Sequence, residues 1–260
     1  MDIQERVQLL SALDVGILAP LQSTAMSRSV VGIPEPIKGT GECGLIVGSA
    51  LHGCIDGLTV DNKYAVVNSQ LLAERAASAK FDNESQPKEW FKRYLEVLRI
   101  CGWATQGSEF TTYSASERTE TVEQVTLSII NSLGGTNRVA YRRVIANSFA
   151  ALRANTKVST RFHQNSTESG SAKFRVLPCM QTHDDHVVMV LTSMQSKRKT
   201  AHSQAQVPGR FWEMNVEQTD IRYAAAECML NMQVYNGAKA QIEKKLAGNT
   251  ASFIDALDLG

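Results

Sequence analysis

The sequence predicts an α+β protein of mixed α/β composition, with N-terminal helices packed on a mainly antiparallel C-terminal sheet and a closing helix. Two observations lead there. Between residues 61 and 154 apolar residues recur at three- and four-residue steps, the period of amphipathic helices. From about residue 172 onward runs of alternating apolar and polar residues, broken by turn residues, mark strands that neighbour one another in sequence.

Taken in order, residues 2–13 are expected to form a short helix with Ile3, Val7, Leu10 and Leu13 on one face. Residues 14–44 read as irregular, with Pro20, Pro34 and Pro36 and glycines at 32, 39, 41 and 44. The small apolar segment 45–60 is read as a helix interrupted by glycines. Residues 61–79 are predicted helical, capped by Asp61, with Val66, Val67, Leu71, Leu72 and Ala76 as the stripe. The strongest local signal follows. Ser85 or Asn83 can cap, Pro87 suits a first helical turn, and Trp90, Phe91, Tyr94, Leu95, Leu98 and Cys101 form a broad apolar face. Gly102 supplies the left-handed residue that ends such a helix, and 103–113 alternate as a strand. Helices are expected at 119–133 and 136–154, separated by Gly134-Gly135. Beyond Asn155, Val158, Thr160 and Phe162 alternate with polar residues. Residues 172–182 and 186–196 read as paired strands around His183-Asp184-Asp185-His186. Residues 210–217 and 220–230 read as further strands, and 233–247 as the last helix. The change of texture near 155 is a candidate sub-boundary. No Pro/Gly/Ser linker marks it, so residues 1–260 are read as one intertwined unit.

Composition excludes several classes. The chain has 260 residues, 43% hydrophobic and 20% charged, the balance of a globular protein. Net charge is +1, so no global field favours nucleic acid or an acidic membrane. The five cysteines (Cys43, Cys54, Cys101, Cys179 and Cys228) are scattered without a C-x-x-C, which favours reduced thiols over a disulfide framework. The start MDIQERVQLL lacks a basic stretch leading into an apolar run, and no run of about 18 apolar residues occurs. The expectation is a protein made in the cytoplasm without a signal peptide or membrane span, exported, if at all, by a non-classical route.

Candidate chemistry is sparse. Gly39-Thr40-Gly41-Glu42-Cys43-Gly44 fits G-x-G-x-x-G, with Asp61 downstream, but two prolines precede it where a strand would be needed. A glycine-rich loop is the better reading, so no dinucleotide is expected. His183-Asp184-Asp185-His186 could offer metal ligands. Adjacent residues on a turn diverge, however, and Asp-Asp between strands is turn chemistry, so no metal is expected. No motif for catalysis stands out. A cysteine-dependent acyltransferase or thiol hydrolase would use Cys54 or Cys179 as nucleophile, with a base from elsewhere in the fold. Arg138, Arg142, Arg143, Arg153, Lys157 and Arg161, and again Lys197-Arg198-Lys199, are basic clusters with few interleaved aromatics. They make a nucleic-acid or protein binding module a lesser alternative and could equally meet anionic headgroups. Each cysteine is first of all a small buried hydrophobe. The sharper reading is a thioester-linked acyl chain in an apolar tunnel.

The segments 68–77 (NSQLLAERAA), 80–82 (KFD), 89–98 (EWFKRYLEVL) and Gly102-Trp103 resemble a family of small bacterial and fungal proteins, most without an assigned activity. The likeness continues through Lys173-Phe174, Cys179, Phe211-Trp212, Leu230-Asn231 and Val234-Tyr235. Size, mixed α/β order and a lone strand cysteine near the C-terminal third further resemble the Evf-type virulence factors of Erwinia. That resemblance implies a non-enzymatic, toxin-like protein that acts at host membranes or lipid and holds a fatty acid such as palmitate on a cysteine. Cys179 is the first candidate for the attachment and Cys228 the second, with no other cofactor.

Overall fold

The computed structural model describes residues 1–16, 39–107, 110–113, 120–168, 171–198, 210–215, 219–246, 254–257 and 259. Among them lie helices α1 (Ile3–Ala12), α2 (Val60–Ser78), α3 (Pro87–Ile100), α4 (Val122–Leu133), α5 (Arg138–Ala154), α6 (Thr156–Ser166) and α7 (Met232–Lys245). The strands are β1 (Cys43–Val47), β2 (Ala50–Cys54), β3 (Trp103–Gly107), β4 (Thr111–Thr112), β5 (Thr167–Glu168), β6 (Ser171–Gln181), β7 (Val187–Arg198), β8 (Thr219–Leu230) and β9 (Ile254–Leu257). All pair into one sheet of order β3-β8-β7-β6-β2-β1-β9, with β4 also on β8 and β5 on β6. Every pairing is antiparallel except β2 with β6. The α+β expectation holds, with two additions. The sheet recruits the N-terminal strands β1 and β2, and helices cover both of its faces.

Alternation along the strands divides the core in two. Leu45, Cys54, Leu177, Leu191 and Ala226 face α2, α3 and α7, and Ile46, Leu51, Val176, Val190 and Ala225 face α4, α5 and α6. On the first face α3 buries Trp90, Phe91, Tyr94, Leu95 and Leu98, as its spacing predicts. Trp90 and Tyr94 stack with centroids 5.2 Å apart. Gly102 ends the helix at φ +107°, a conformation that costs a side chain but not glycine. On the second face Phe162, Phe174, Phe211 and Trp212 form one aromatic cluster.

Several local expectations are corrected. Residues 45–60 are not a helix. They contain the end of β1, the hairpin turn at Gly48-Ser49 and β2. Gly48 sits at φ +59°, as a tight hairpin turn demands. The other glycines there reflect close packing. A Cβ on Gly53 would meet Ile145 Cδ1 at 2.7 Å and Val144 Cγ1 at 2.9 Å, so α5 lies directly on the strand. The alternation of Val158, Thr160 and Phe162 belongs to α6. Val158 and Phe162 share a helical face at i, i+4, Thr160 is exposed, and Asn155 caps by accepting from Val158 N at 3.1 Å. Residues 210–217 hold a 3₁₀ turn, Phe211–Glu213, and a single bridge from Asn215 to Thr121. Residues 216–218 lie outside the described residues. Thr59, rather than Asp61, caps α2, and Gln86 occupies the cap of α3 without a side-chain bond. Pro20, Gly32, Pro34 and Pro36 fall outside the described residues.

Candidate functional site

A β-sheet places in-register residues of neighbouring strands side by side. Cys43 of β1 is the partner of Cys54 of β2, Cys54 of Cys179 of β6, Cys179 of Met189 of β7, and Met189 of Cys228 of β8. Five sulfur-bearing side chains thus form a transverse row across five strands, beneath α2 and α3. All five are buried, and Cys179 Sγ lies 4.0 Å from Cys54 Sγ. Gln70 of α2 reaches down to donate from Nε2 to Met189 Sδ at 3.3 Å. At the Cys43 end lies the Lys63 ammonium, 1% exposed, which donates to the carbonyls of Gly39 at 2.8 Å and Gly41 at 3.1 Å. Cys101 stands apart at the end of α3, its thiol pushed up to about 12 by burial.

Three thiols of the row, Cys43, Cys54 and Cys228, are shifted toward the protonated form. Cys43 is raised by its contact with Cys54 and by burial, with Lys63 opposing. Cys54 is raised chiefly by its contact with Cys179, against a smaller lowering through Cys43. Burial raises Cys228, with Arg99 opposing. A catalytic cysteine needs the opposite shift, so the geometry at Cys54 disfavours a thiolate nucleophile.

The next row on the same face is apolar but for one residue. His52 of β2 lies between Leu45 and Leu177, is fully buried, and among the described residues neither of its ring nitrogens meets a hydrogen-bond partner. Burial, and secondarily the Arg175 charge, lower it to about 3, so the ring is neutral. Arg175 of β6 is buried yet satisfied on one side. It pairs with Glu74 at 2.6 Å, donates to Ser49 Oγ at 3.0 Å, and lies 5.2 Å from the ring centres of both Trp90 and Tyr94.

A cleft of about 460 Å³ opens at the other end of the row. Its walls are the Gly134–Asn137 turn on one side and β7, β8 and β3 on the other, with Leu133, Tyr141, Val188, Val190, Met229 and Cys228 among the lining residues. Met229 is 44% exposed there, a large apolar side chain on an uncovered part of the sheet. Tyr141 Oη donates to the Val188 carbonyl at 3.4 Å, which ties α5 to the floor. The cleft lies on the α4–α5 face of the sheet; β8 forms part of its floor, but the Cys228 side chain turns to the α2–α3 face, and both lipid-attachment candidates are buried there.

The remaining candidates have structural roles. His183-Asp184-Asp185-His186 is the β6–β7 turn, closed by Thr182 N donating to the His186 carbonyl at 2.8 Å, with Asp185 at φ +62°. Among the described residues no three His, Cys, Asp or Glu side chains converge as metal ligands. The glycine-rich loop 39–44 leads into β1 rather than from a strand into a helix, the reverse of a dinucleotide-binding turn. Arg143 pairs with Glu42, Arg153 with Glu123 and Arg161 with Asp255, so the basic cluster is partly spent on ties between elements. Lys199 lies outside the described residues. Among the described residues no helix is long and apolar enough to cross a membrane. Sequence reasoning missed Lys63 and Arg175, which look like ordinary surface residues until α2 and β6 are stacked against β2. One signal was available. Cys43 and Cys54 are equidistant from the Gly48-Ser49 turn, so recognising the hairpin would have paired them.

No family model and no curated protein matches the sequence. Among solved structures, the fold is similar to a delta-endotoxin at a TM-score of 0.44 and 10% identity, over 85% of this chain and 97% of that one. It is also similar to the Evf virulence factor at a TM-score of 0.37 and 9% identity, over 84% of this chain and 88% of that one. No functional statement rests on likenesses of this strength.

Proposed function

We propose that the protein is a non-enzymatic, toxin-like virulence protein that associates with lipid or membrane and carries a fatty acyl chain as a thioester on a cysteine. The toxin-like part comes from the resemblance to Evf-type virulence factors in size, mixed α/β order and a strand cysteine near the C-terminal third. The lipid part is supported by one observation: a cleft of about 460 Å³ with apolar side chains on both walls, part of its floor formed by the strand that carries Cys228. That volume is within the range of about 300–1,000 Å³ typical of pockets that hold small apolar ligands. Cys228 is the attachment point nearest that cleft; its thiol lies on the α2–α3 face, so acylation there, as at Cys179, requires the layer above to move aside. Transfer from an acyl thioester donor would form the Cys228 Sγ–acyl bond, break the donor's S–C bond and pass the thiol proton to the departing sulfur. One acyl chain gives only reversible membrane attachment, so the exposed apolar surface around Met229 would serve as the second contact.

Intact-protein mass spectrometry before and after hydroxylamine tests this. The expected result is an added fatty-acyl mass, removed by hydroxylamine and mapped to the Cys228 peptide, together with flotation on liposomes. An unmodified mass from an acylation-competent host, with no flotation, would sink the reading.

A further inference from the structure

We propose that Cys54 and Cys179 are a redox modification site, oxidised by a peroxide-class oxidant to a disulfide that staples the parallel β2–β6 seam. Three features converge. The two residues are Cα partners on adjacent strands, and the strand spacing of about 4.8 Å falls inside the span of about 4.4–6.8 Å that a disulfide bridges. Both side chains point to the same face, with the sulfurs already 4.0 Å apart. Cys43 is the in-register partner on the other side of Cys54, and the Lys63 ammonium acts on both Cys43 and Cys54 in the sense that favours thiolate.

The chemistry closes without a further reactant. One sulfur of the pair attacks a peroxide oxygen, the O–O bond breaks, and a sulfenic acid forms as the first water leaves with the thiol proton. The other sulfur then displaces the hydroxyl, forming the S–S bond and releasing the second water. Two thiols and one hydrogen peroxide give one disulfide and two waters; each cysteine is oxidised by one electron and the peroxide is reduced. The site is 0–2% exposed, so peroxide, the smallest common oxidant, is the reagent that fits.

The seam gives the bond a purpose. The β2–β6 pairing joins β9-β1-β2 to β6-β7-β8-β3, and the residues it links are 125 apart in sequence, a loop length at which a cross-link strongly restricts the unfolded chain. The inference does not depend on the acyl reading, which uses Cys228.

The test uses the full-length protein, treated with hydrogen peroxide at neutral pH, quenched with catalase, unfolded in N-ethylmaleimide and mapped without reduction. The expected result is a Cys54–Cys179 cross-linked peptide, alkylation confined to the other cysteines, and a melting temperature raised by about 5–10 °C and restored by dithiothreitol. Cys43→Ser should keep the cross-link, and Cys179→Ser should abolish it. Alkylation of all five cysteines, a cross-link between other cysteines, or an acyl chain on Cys179 would overturn it. Dithiothreitol reverses this bond and hydroxylamine the thioester, so the two readings fail separately.

Discussion

His52 is a neutral imidazole with nothing to hold, set in an apolar row where its protonation is strongly opposed. In the unfolded chain it protonates near its ordinary value of about 6.5; in the fold, only near 3. Between those limits the unfolded state binds the extra proton, so this residue's contribution to stability is intact above about 6.5 and lost as pH falls toward 3. The slope is about 1.4 kcal/mol per pH unit. Urea unfolding at several pH values should show that much more acid sensitivity in the natural protein than in His52→Leu; identical slopes would show that the ring is solvated after all. The same residue shows what a sequence hides. A histidine in a small apolar run is legible as buried, but its neighbours Arg175 and Lys63 come from distant segments, and only stacking reveals them. Cys179 and Cys228 were legible as strand residues, yet that their thiols share one face and one row of the sheet follows only from the register of β6, β7 and β8.

Elements announced themselves in proportion to their periodicity. Helix α3 and strands β6, β7 and β8 carry unbroken patterns and lie where spacing puts them. The β1–β2 hairpin was obscured because its glycines read as helix breakers, whereas Gly44 and Gly53 are there to let α5 approach the sheet. Helix α6 was obscured because Val158 and Phe162, four residues apart, suit both periods. The packing explanation predicts an asymmetry. Gly53→Ala forces a methyl against Val144 and Ile145 and should cost about 1–3 kcal/mol by overpacking. Gly41→Ala meets nothing within 4 Å among the described residues and should change stability by less than about 0.5 kcal/mol. Denaturant midpoints of the two variants, measured side by side, decide the matter; equal losses would count against close packing as the reason for Gly53.

Across the whole molecule the sheet takes strands from both sides of residue 155, and its middle is the pairing of β2 with β6. The last strand, β9, covers β1, whose five residues are all buried. Deleting residues from Ile254 onward would leave β1 as a bare apolar edge, a template for pairing with another chain. The truncated protein should elute as oligomers or precipitate at concentrations where the full chain gives one species on size exclusion. A single unchanged peak would mean that the edge is protected in another way. This level of organisation was the least legible, because strand order is set by long-range pairing that no local pattern encodes.

The distance in sequence between β2 and β6 also bears on synthesis. At about 5–20 residues per second, a ribosome that has delivered β2 needs about 6 to 25 s more to deliver β6, and β9 comes later still. During that interval the nascent β1–β2 hairpin would have both outer edges unmatched and its apolar faces uncovered until α2 and α5 arrive. The N-terminal fifth of the chain is thus a natural client for a ribosome-associated chaperone, and the yield of folded protein should follow the supply of such help more closely than the stability of the finished molecule.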